Sequence, residues 1–476
     1  MTETSSALLR SSNAAVFSQV WRMVVVFATH MLLRRLVDPG PWGLWHWAEP
    51  IFLLLGQFRD LGMPGHMVRL ESPRPYGNFF RLQLVGIVGT GVLVYFGAPL
   101  IARGFAQADG GEVTTVLRFL VLFLIFEGLA KVPLTYFEAE LRIEESLVPE
   151  LLRNAVYAVV ALALAIGFHG VWSFLVAHVA GAAVFALCLW SRAWGQMRLA
   201  PDPAFPWQAL LKKSLPLVVM SILVLLLGRV DPLVLGLRFP DRTLGLYGLA
   251  LFLAYLLSIM VALPVSRALY PALQRLQGDN HRFFEAYRLA TVLILALEVP
   301  FAISLFINAE VLLGIFGGAE YSTAAIPFLQ VLCFAPLLQP FSRCAGDVLL
   351  IRHRDGILIA SSILTLFSFV VVGYWLTGAY GAVAMAWVNL LPLGTLVVAW
   401  AVWSIDGPAF WGLCNDLIFV YLAPIPCFVA VAWFTADASW TRLALSFVAT
   451  GIGLGLTAWR YGRRFRVFFA KPGTVA

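Results

Sequence analysis

Apolar runs of membrane-crossing length follow one another along almost the whole chain, and no other feature so narrows what it can fold into. A helix needs about 20 predominantly apolar residues to cross a hydrocarbon core of roughly 30 Å. Such runs are read at 15–36, 41–63, 82–104, 114–138, 151–168 and 171–192. They continue at 214–237, 243–265, 284–307, 321–350, 356–376 and 380–403, with two more at 411–434 and 438–459. The expectation is an all-α integral membrane protein of about fourteen transmembrane helices. Barrel strands would alternate in polarity, which these runs do not. Composition closes the soluble alternatives: only 12% of the 476 residues are charged, about half the roughly 25% usual in soluble domains.

Lysine and arginine collect in the segments that face the cytoplasm if the N-terminus is inside, among them Arg10, Arg69, Arg74, Arg81, Arg142, Arg192, Lys212, Lys213, Arg275, Arg282, Arg352 and Arg354. Only Arg34, Arg35, Arg103, Arg238, Arg242 and Arg442 fall on the other side. That asymmetry predicts two cytoplasmic termini. The basic run Arg460–Arg466 then reads as a tail beside anionic headgroups rather than a nucleic-acid site. The start of the chain is too polar for a signal peptide, so its first helix is expected to persist. Five dispersed cysteines give neither a disulfide framework nor a metal spacing. The seven histidines show no ligand spacing, and no P-loop, H-E-x-x-H or G-x-S-x-G motif is present. No metal, cofactor or ATP-hydrolysing site is expected.

The chain repeats itself. Gly43-Leu44-Trp45 opens the second run and Gly245-Leu246-Tyr247 the eighth, while Asn78-Phe-Phe-Arg-Leu and Arg282-Phe-Phe-Glu-Ala-Tyr-Arg-Leu open the third and ninth. Six spans separate the copies, so both halves share one orientation. Parallel repeats imply a pseudo-two-fold axis along the membrane normal. The expected organisation is a six-helix lobe over 1–200, a second over 201–405, and two further helices with a basic cytoplasmic tail over 406–476.

Several local patterns carry a resemblance. They are Leu36-Val-Asp-Pro-Gly-Pro-Trp-Gly-Leu between the first two spans, Phe58-Arg-Asp-Leu-Gly-Met-Pro ending the second, and Asp231 in the seventh. Gly245-Leu-Tyr-Gly-Leu-Ala and Ser266-Arg-Ala-Leu-Tyr-Pro-Ala-Leu-Gln-Arg-Leu complete the set. Together with the topology they make the chain similar to Wzx-type polysaccharide flippases of the multidrug/oligosaccharidyl-lipid/polysaccharide exporter superfamily. The resemblance implies translocation of polyprenyl-diphosphate-linked oligosaccharide from the cytoplasmic to the outer leaflet of a bacterial inner membrane. It implies lipids, polysaccharide polymerase and export machinery as partners, and a monomer. The tryptophan-rich second span (Trp42, Trp45, Trp47) departs from the pattern.

Charges inside spans cost roughly 2.5–3.5 kcal/mol at mid-bilayer, so they normally face protein or a water-filled cavity. Ser18, Gln19 and Arg22 share one face of the first span. That face is read as wet, with an Arg22–Glu49 ion pair as the structural alternative. Arg229 and Asp231, two apart, point away from each other, and Pro232 removes a backbone donor beside them. Lys131 follows Glu127 by four residues, which suits either a helical ion pair or a cavity role. Arg343 and Asp347 share that spacing, and Arg343 sits where a long side chain can snorkel. Arg59 and Asp60 are expected to anchor the interface. The diphosphate of the implied substrate assigns Arg22, Arg229, Arg343, Lys131, Ser18 and Gln19 to binding, because arginine stays charged and grips phosphate bidentately. Asp231, Glu298 and Glu49 are the coupling or gating candidates. A drug antiporter of the same superfamily would need an acidic cavity instead. A membrane-embedded polymerase or ligase would carry a large outside loop, and no interval between the spans is long enough for one.

Overall fold

The computed structural model describes residue 21 and residues 24–469 apart from 71–73, 106–109, 141, 169, 201, 391–392 and 436–439. Every regular element among the described residues is helical. In chain order these are α1 (24–36), α2 (Pro39–Asp60), α3 (Met63–Arg69), α4 (Tyr76–Ala102), α5 (Gly110–Ala139), α6 (Glu144–Phe168), α7 (Trp172–Ala193) and α8 (Trp207–Gly236). There follow α9 (Asp241–Leu257), α10 (Leu263–Arg275), α11 (Asn280–Ile307), α12 (Ala309–Gly317), α13 (Ala319–Ala324), α14 (Ile326–Leu332) and α15 (Gln339–Ile351). The chain ends with α16 (Asp355–Phe367), α17 (Gly373–Tyr380), α18 (Val383–Leu390), α19 (Leu393–Ile405), α20 (Gly407–Leu422), α21 (Ile425–Phe434) and α22 (Trp440–Phe469).

Eleven helical stretches among the described residues are long and apolar enough to cross a membrane, so this is a multi-pass membrane protein. The expected number of fourteen is not reached by that measure, and each shortfall has its own cause. The first expected span, 15–36, lies partly outside the described residues. The second is an unbroken helix, α2, whose apolar character is diluted by His46, Glu49, Arg59 and Asp60. The tenth, 321–350, is chopped into α13, α14, a 3-10 turn at Ala335–Leu338 and α15. Proline occupies the first turn of each piece after α13, where its missing N–H costs nothing but ends the preceding hydrogen-bond ladder.

Helix ends follow local chemistry. Pro39 starts α2 directly after Asp38, and Asp279 and Asp406 cap α11 and α20 by accepting from the backbone N–H groups of Arg282 and Ala409. Leu61 and Gly62 both adopt left-handed backbone between α2 and α3. Gly62 has two reasons to be glycine, since a Cβ there would also collide with the Ser214 carbonyl of α8. Single π-helical turns at Ser258–Ala262 and Ser368–Val372 interrupt the passages from α9 to α10 and from α16 to α17.

The chain divides into two compact units, Met1–Gly245 and Leu246–Ala476. A core in the first gathers Phe79, Leu82, Val132, Phe137, Phe185 and Leu189 from α4, α5 and α7. That of the second is built on α11, whose Phe283, Val292, Ile294 and Leu295 meet Val348 and Leu349 of α15 and Leu413 and Leu417 of α20.

Candidate functional site

Within the first unit α2 and α8 run antiparallel along their whole length. Successive approaches show it: Gly62 meets Ser214, Glu49 meets Arg229, and Trp47 lies over Gly236. At the far end a Cβ on Gly43 would land in the backbone of Asp241, and one on Gly245 in the backbone of Pro39. The repeat-related glycines are thus where the starts of α2 and α9 touch main chain to main chain.

The centre of this interface carries charge. Arg229 donates from a terminal guanidinium nitrogen to Glu49 Oε2 at 2.8 Å. The arginine side chain keeps 42% of its exposure and the glutamate 24%. Glu49 therefore pairs across to α8. Arg22, its expected alternative partner, lies outside the described residues together with Ser18 and Gln19. Asp231, two residues beyond Arg229, is buried, and α8 continues through Pro232 to Gly236.

Behind Glu49 lies a group that the sequence did not announce. His30 of α1 and Tyr157 of α6 share a hydrogen bond of 3.1 Å. Arg34, almost fully buried, reaches His46 Nε2 at 3.1 Å and lies 4.4 Å over the Trp42 ring. Trp45 stacks on His178 at 4.3 Å, and Tyr157 meets the same imidazole edge-on at 4.5 Å. Three histidines separated widely in sequence are thereby brought into one aromatic cluster. The tryptophans that break the resemblance supply its walls. Among the described residues no group of three or more His, Cys, Asp or Glu is placed to hold a metal ion.

Other sequence expectations change on inspection. Glu127 does not pair with Lys131; its carboxylate lies 2.6 Å from Arg153 of α6, and Lys131 is half-buried on α5. The interhelical partner wins because α6 offers a guanidinium directly opposite. Arg59 does not anchor an interface: it is buried, donating to Asp60 at 2.7 Å and to the Leu124 carbonyl at 2.9 Å. Gly128 leaves the room it needs, since a Cβ there would press on Arg59 Cδ. Arg343 lies on α15 with its side chain outside the described ones, while Asp347 on the same helix accepts from Ser266 at 3.3 Å. Glu298 is buried on α11 within electrostatic reach of Tyr421.

The second unit holds a charge cluster of a different kind. Arg288 of α11 donates to Asp416 of α20, whose side chain is only 4% exposed. Arg464 of α22 approaches the same carboxylate at 4.0 Å, and Tyr461 donates to the Asp416 carbonyl at 3.4 Å. Nothing in the sequence around Asp416 points to this cluster. The long separation of its partners left no local signal.

Comparison with known proteins adds the following. A family model described as polysaccharide biosynthesis protein matches residues 32–327. No curated protein matches the sequence. Among solved structures, the chain superposes on the "Lipid II flippase MurJ, inward closed conformation" with a TM-score of 0.74 and 14% identity, covering 96% of this chain and 100% of that one. An "inward-facing conformation of a multidrug resistance MATE family transporter of the MOP superfamily" follows at 0.63 and 14% identity, over 83% and 96%. The Vibrio cholerae MATE transporter VcmN in the bent form gives 0.56 and 12%, over 87% and 100%. At such identities the likeness establishes a shared all-helical transporter fold.

Proposed function

Because this chain belongs to the polysaccharide biosynthesis protein family, we propose that it is a flippase. Its cargo would be polyprenyl-diphosphate-linked oligosaccharide, moved from the cytoplasmic to the outer leaflet of a bacterial inner membrane. Such a head group carries charge and many hydroxyls, and moving it through hydrocarbon would strip both of water. A hydrated cationic cavity lowers that barrier. The observation that carries the reading is Arg229, a guanidinium inside a membrane-length helix whose side chain is 42% exposed. A phosphate approaching it competes with the carboxylate of Glu49.

In this reading Arg22, Arg343 and Lys131 supply further positive charge, with Ser18 and Gln19 as hydrogen-bonding neighbours. Asp231, Glu298 and Glu49 serve coupling or gating. The six-helix lobes 1–200 and 201–405 rock against each other while the polyprenyl tail stays in the bilayer. The helices of 406–476 complete the membrane domain. The protein works as a monomer, hands its product to polymerase and export machinery, and has both termini in the cytoplasm.

The test is reconstitution in proteoliposomes with labelled polyprenyl-diphosphate-oligosaccharide in both leaflets and an impermeant glycan-cleaving enzyme outside. Protein-dependent loss of the inner pool, abolished by Arg229→Gln, is the expected result. Proton-driven efflux of organic cations without lipid movement would move the chain to the drug-antiporter branch.

A further inference from the structure

The aromatic cluster behind Glu49 holds a hydrogen bond that cannot persist once a proton arrives, beside an ion pair that can be exchanged. Arginine has only donors, so the bond between Arg34 and His46 Nε2 requires that nitrogen to accept, and it exists only with a neutral imidazole. Protonating His46 replaces that bond with two cations facing each other at hydrogen-bond distance. Arg34 would then have to leave its seat over Trp42.

A protonated His46 has a ready counter-ion. Glu49 lies one turn further along α2, at the spacing that lets helical side chains meet. The backbone between them is also relieved of one constraint. Pro50 inside α2 offers no N–H to the His46 carbonyl, so this turn lacks one rung of its ladder. At present Glu49 is held by Arg229. An anion seated on Arg229 would set the carboxylate free to turn to His46.

We infer that Arg34, His46, Glu49 and Arg229 form an ion-pair exchange in which proton uptake at His46 and binding of a phosphate-type anion at Arg229 favour one another. This inference rests on the reading of Arg229 as a phosphate seat. The proton comes from water and ends on His46 Nε2. The Arg34–His46 and Arg229–Glu49 contacts break, and His46–Glu49 and Arg229–anion contacts form. Linkage is reciprocal: whatever factor the proton adds to anion affinity, the anion adds to proton affinity.

The surroundings are consistent with a single exchanging centre. The groups that act electrostatically on His46 are Arg34 from α1, Arg229 from α8 and His30 from α1. Those acting on His30 are Arg34 and His178 of α7. Glu49 and Arg34 act on Tyr157 of α6. Glu127 of α5, paired with Arg153 of α6, acts on the cluster at His178. Arg34, whose guanidinium nitrogen lies 3.1 Å from His46 Nε2, places positive charge directly beside that imidazole. Glu49, on its own helix and one turn away, is the carboxylate placed to answer a positive charge there.

The experiment uses the full chain in lipid nanodiscs and inorganic pyrophosphate as probe. Pyrophosphate binding is measured calorimetrically near pH 6 in two buffers of different ionisation enthalpy, which counts protons taken up per anion bound. In parallel, nitrogen-15 spectra of labelled histidines follow the protonation of His46. The expected result is net proton uptake with wild-type protein, lost in His46→Gln and in Glu49→Gln although both still bind the anion. Arg34→Gln should raise the proton affinity of His46 by about tenfold, within the usual range of coupling between sites. Binding with unchanged proton uptake in His46→Gln would overturn the exchange and leave the phosphate seat standing. Absence of pyrophosphate binding to wild type would remove the seat itself and, with it, the linked half of the exchange. An unmoved His46 titration in Arg34→Gln would overturn the remaining half, whether or not pyrophosphate binds.

Discussion

Each unit contains an arginine–carboxylate pair joining two long helices, and the two pairs differ mainly in what surrounds the carboxylate. In Arg229–Glu49 both side chains keep substantial exposure. In Arg288–Asp416 the aspartate is buried and is approached by Arg464 as well, with Tyr461 bound to its main chain. A buried pair is hard to break, because removing one member leaves a charge without water or partner. An accessible pair contributes little to stability and is open to competition by other ions. The same kind of pair therefore makes a lock in one unit and an exchangeable contact in the other.

The sharpest way to break that contrast is to remove each carboxylate in turn. Asp416→Ala should destabilise the protein by about 1–3 kcal/mol, because Arg288 loses its buried acceptor while keeping some exposure and Glu285 at 3.9 Å. Thermal unfolding in detergent, followed by size-exclusion chromatography, would register this as a large loss of monodisperse protein. Glu49→Ala should leave the melting temperature nearly unchanged. Equal behaviour of the two variants would mean that burial does not separate them.

The contrast also marks what a sequence can and cannot show. Long apolar runs are local patterns, and they foretold the helices; the prolines that break 321–350 and the close approach at Gly43 and Gly245 came to light only in the packed structure. Ion pairs between helices are not local. Glu127 chose Arg153 over the neighbour at helical spacing, and Asp416 found Arg288 more than a hundred residues away. The same holds for His30, His46 and His178, whose spacing along the chain resembles no site at all. They become a cluster only because α1, α2 and α7 pack against one another through tryptophan and tyrosine rings. Arg229 was legible as an intramembrane charge. That it meets Glu49 was not.

A second variant tests whether the exchangeable pair sits in a rigid frame. Gly43→Val has no space beside the Asp241 backbone and should cost about 1–3 kcal/mol through overpacking. That penalty should be matched at its repeat counterpart, Gly245→Val, where the Pro39 backbone stands in the way. A mild effect at either site would show that the starts of α2 and α9 can part easily.

The smallest stability effect is expected where the functional effect is greatest. Arg229→Gln removes an accessible pair, so its cost should stay within about 0.2–1 kcal/mol, while lipid-linked oligosaccharide movement in proteoliposomes should be lost. Glu49→Gln tests the same seat from the other side. It removes the internal competitor and leaves the guanidinium in place, so pyrophosphate should bind roughly two- to five-fold more tightly, the affinity equivalent of releasing such a pair. That gain should shrink as salt is added, because added ions screen the accessible pair in the wild type too. An unchanged affinity in Glu49→Gln would mean that the carboxylate does not occupy the anion's place, and the two pairs would then differ in exposure but not in role.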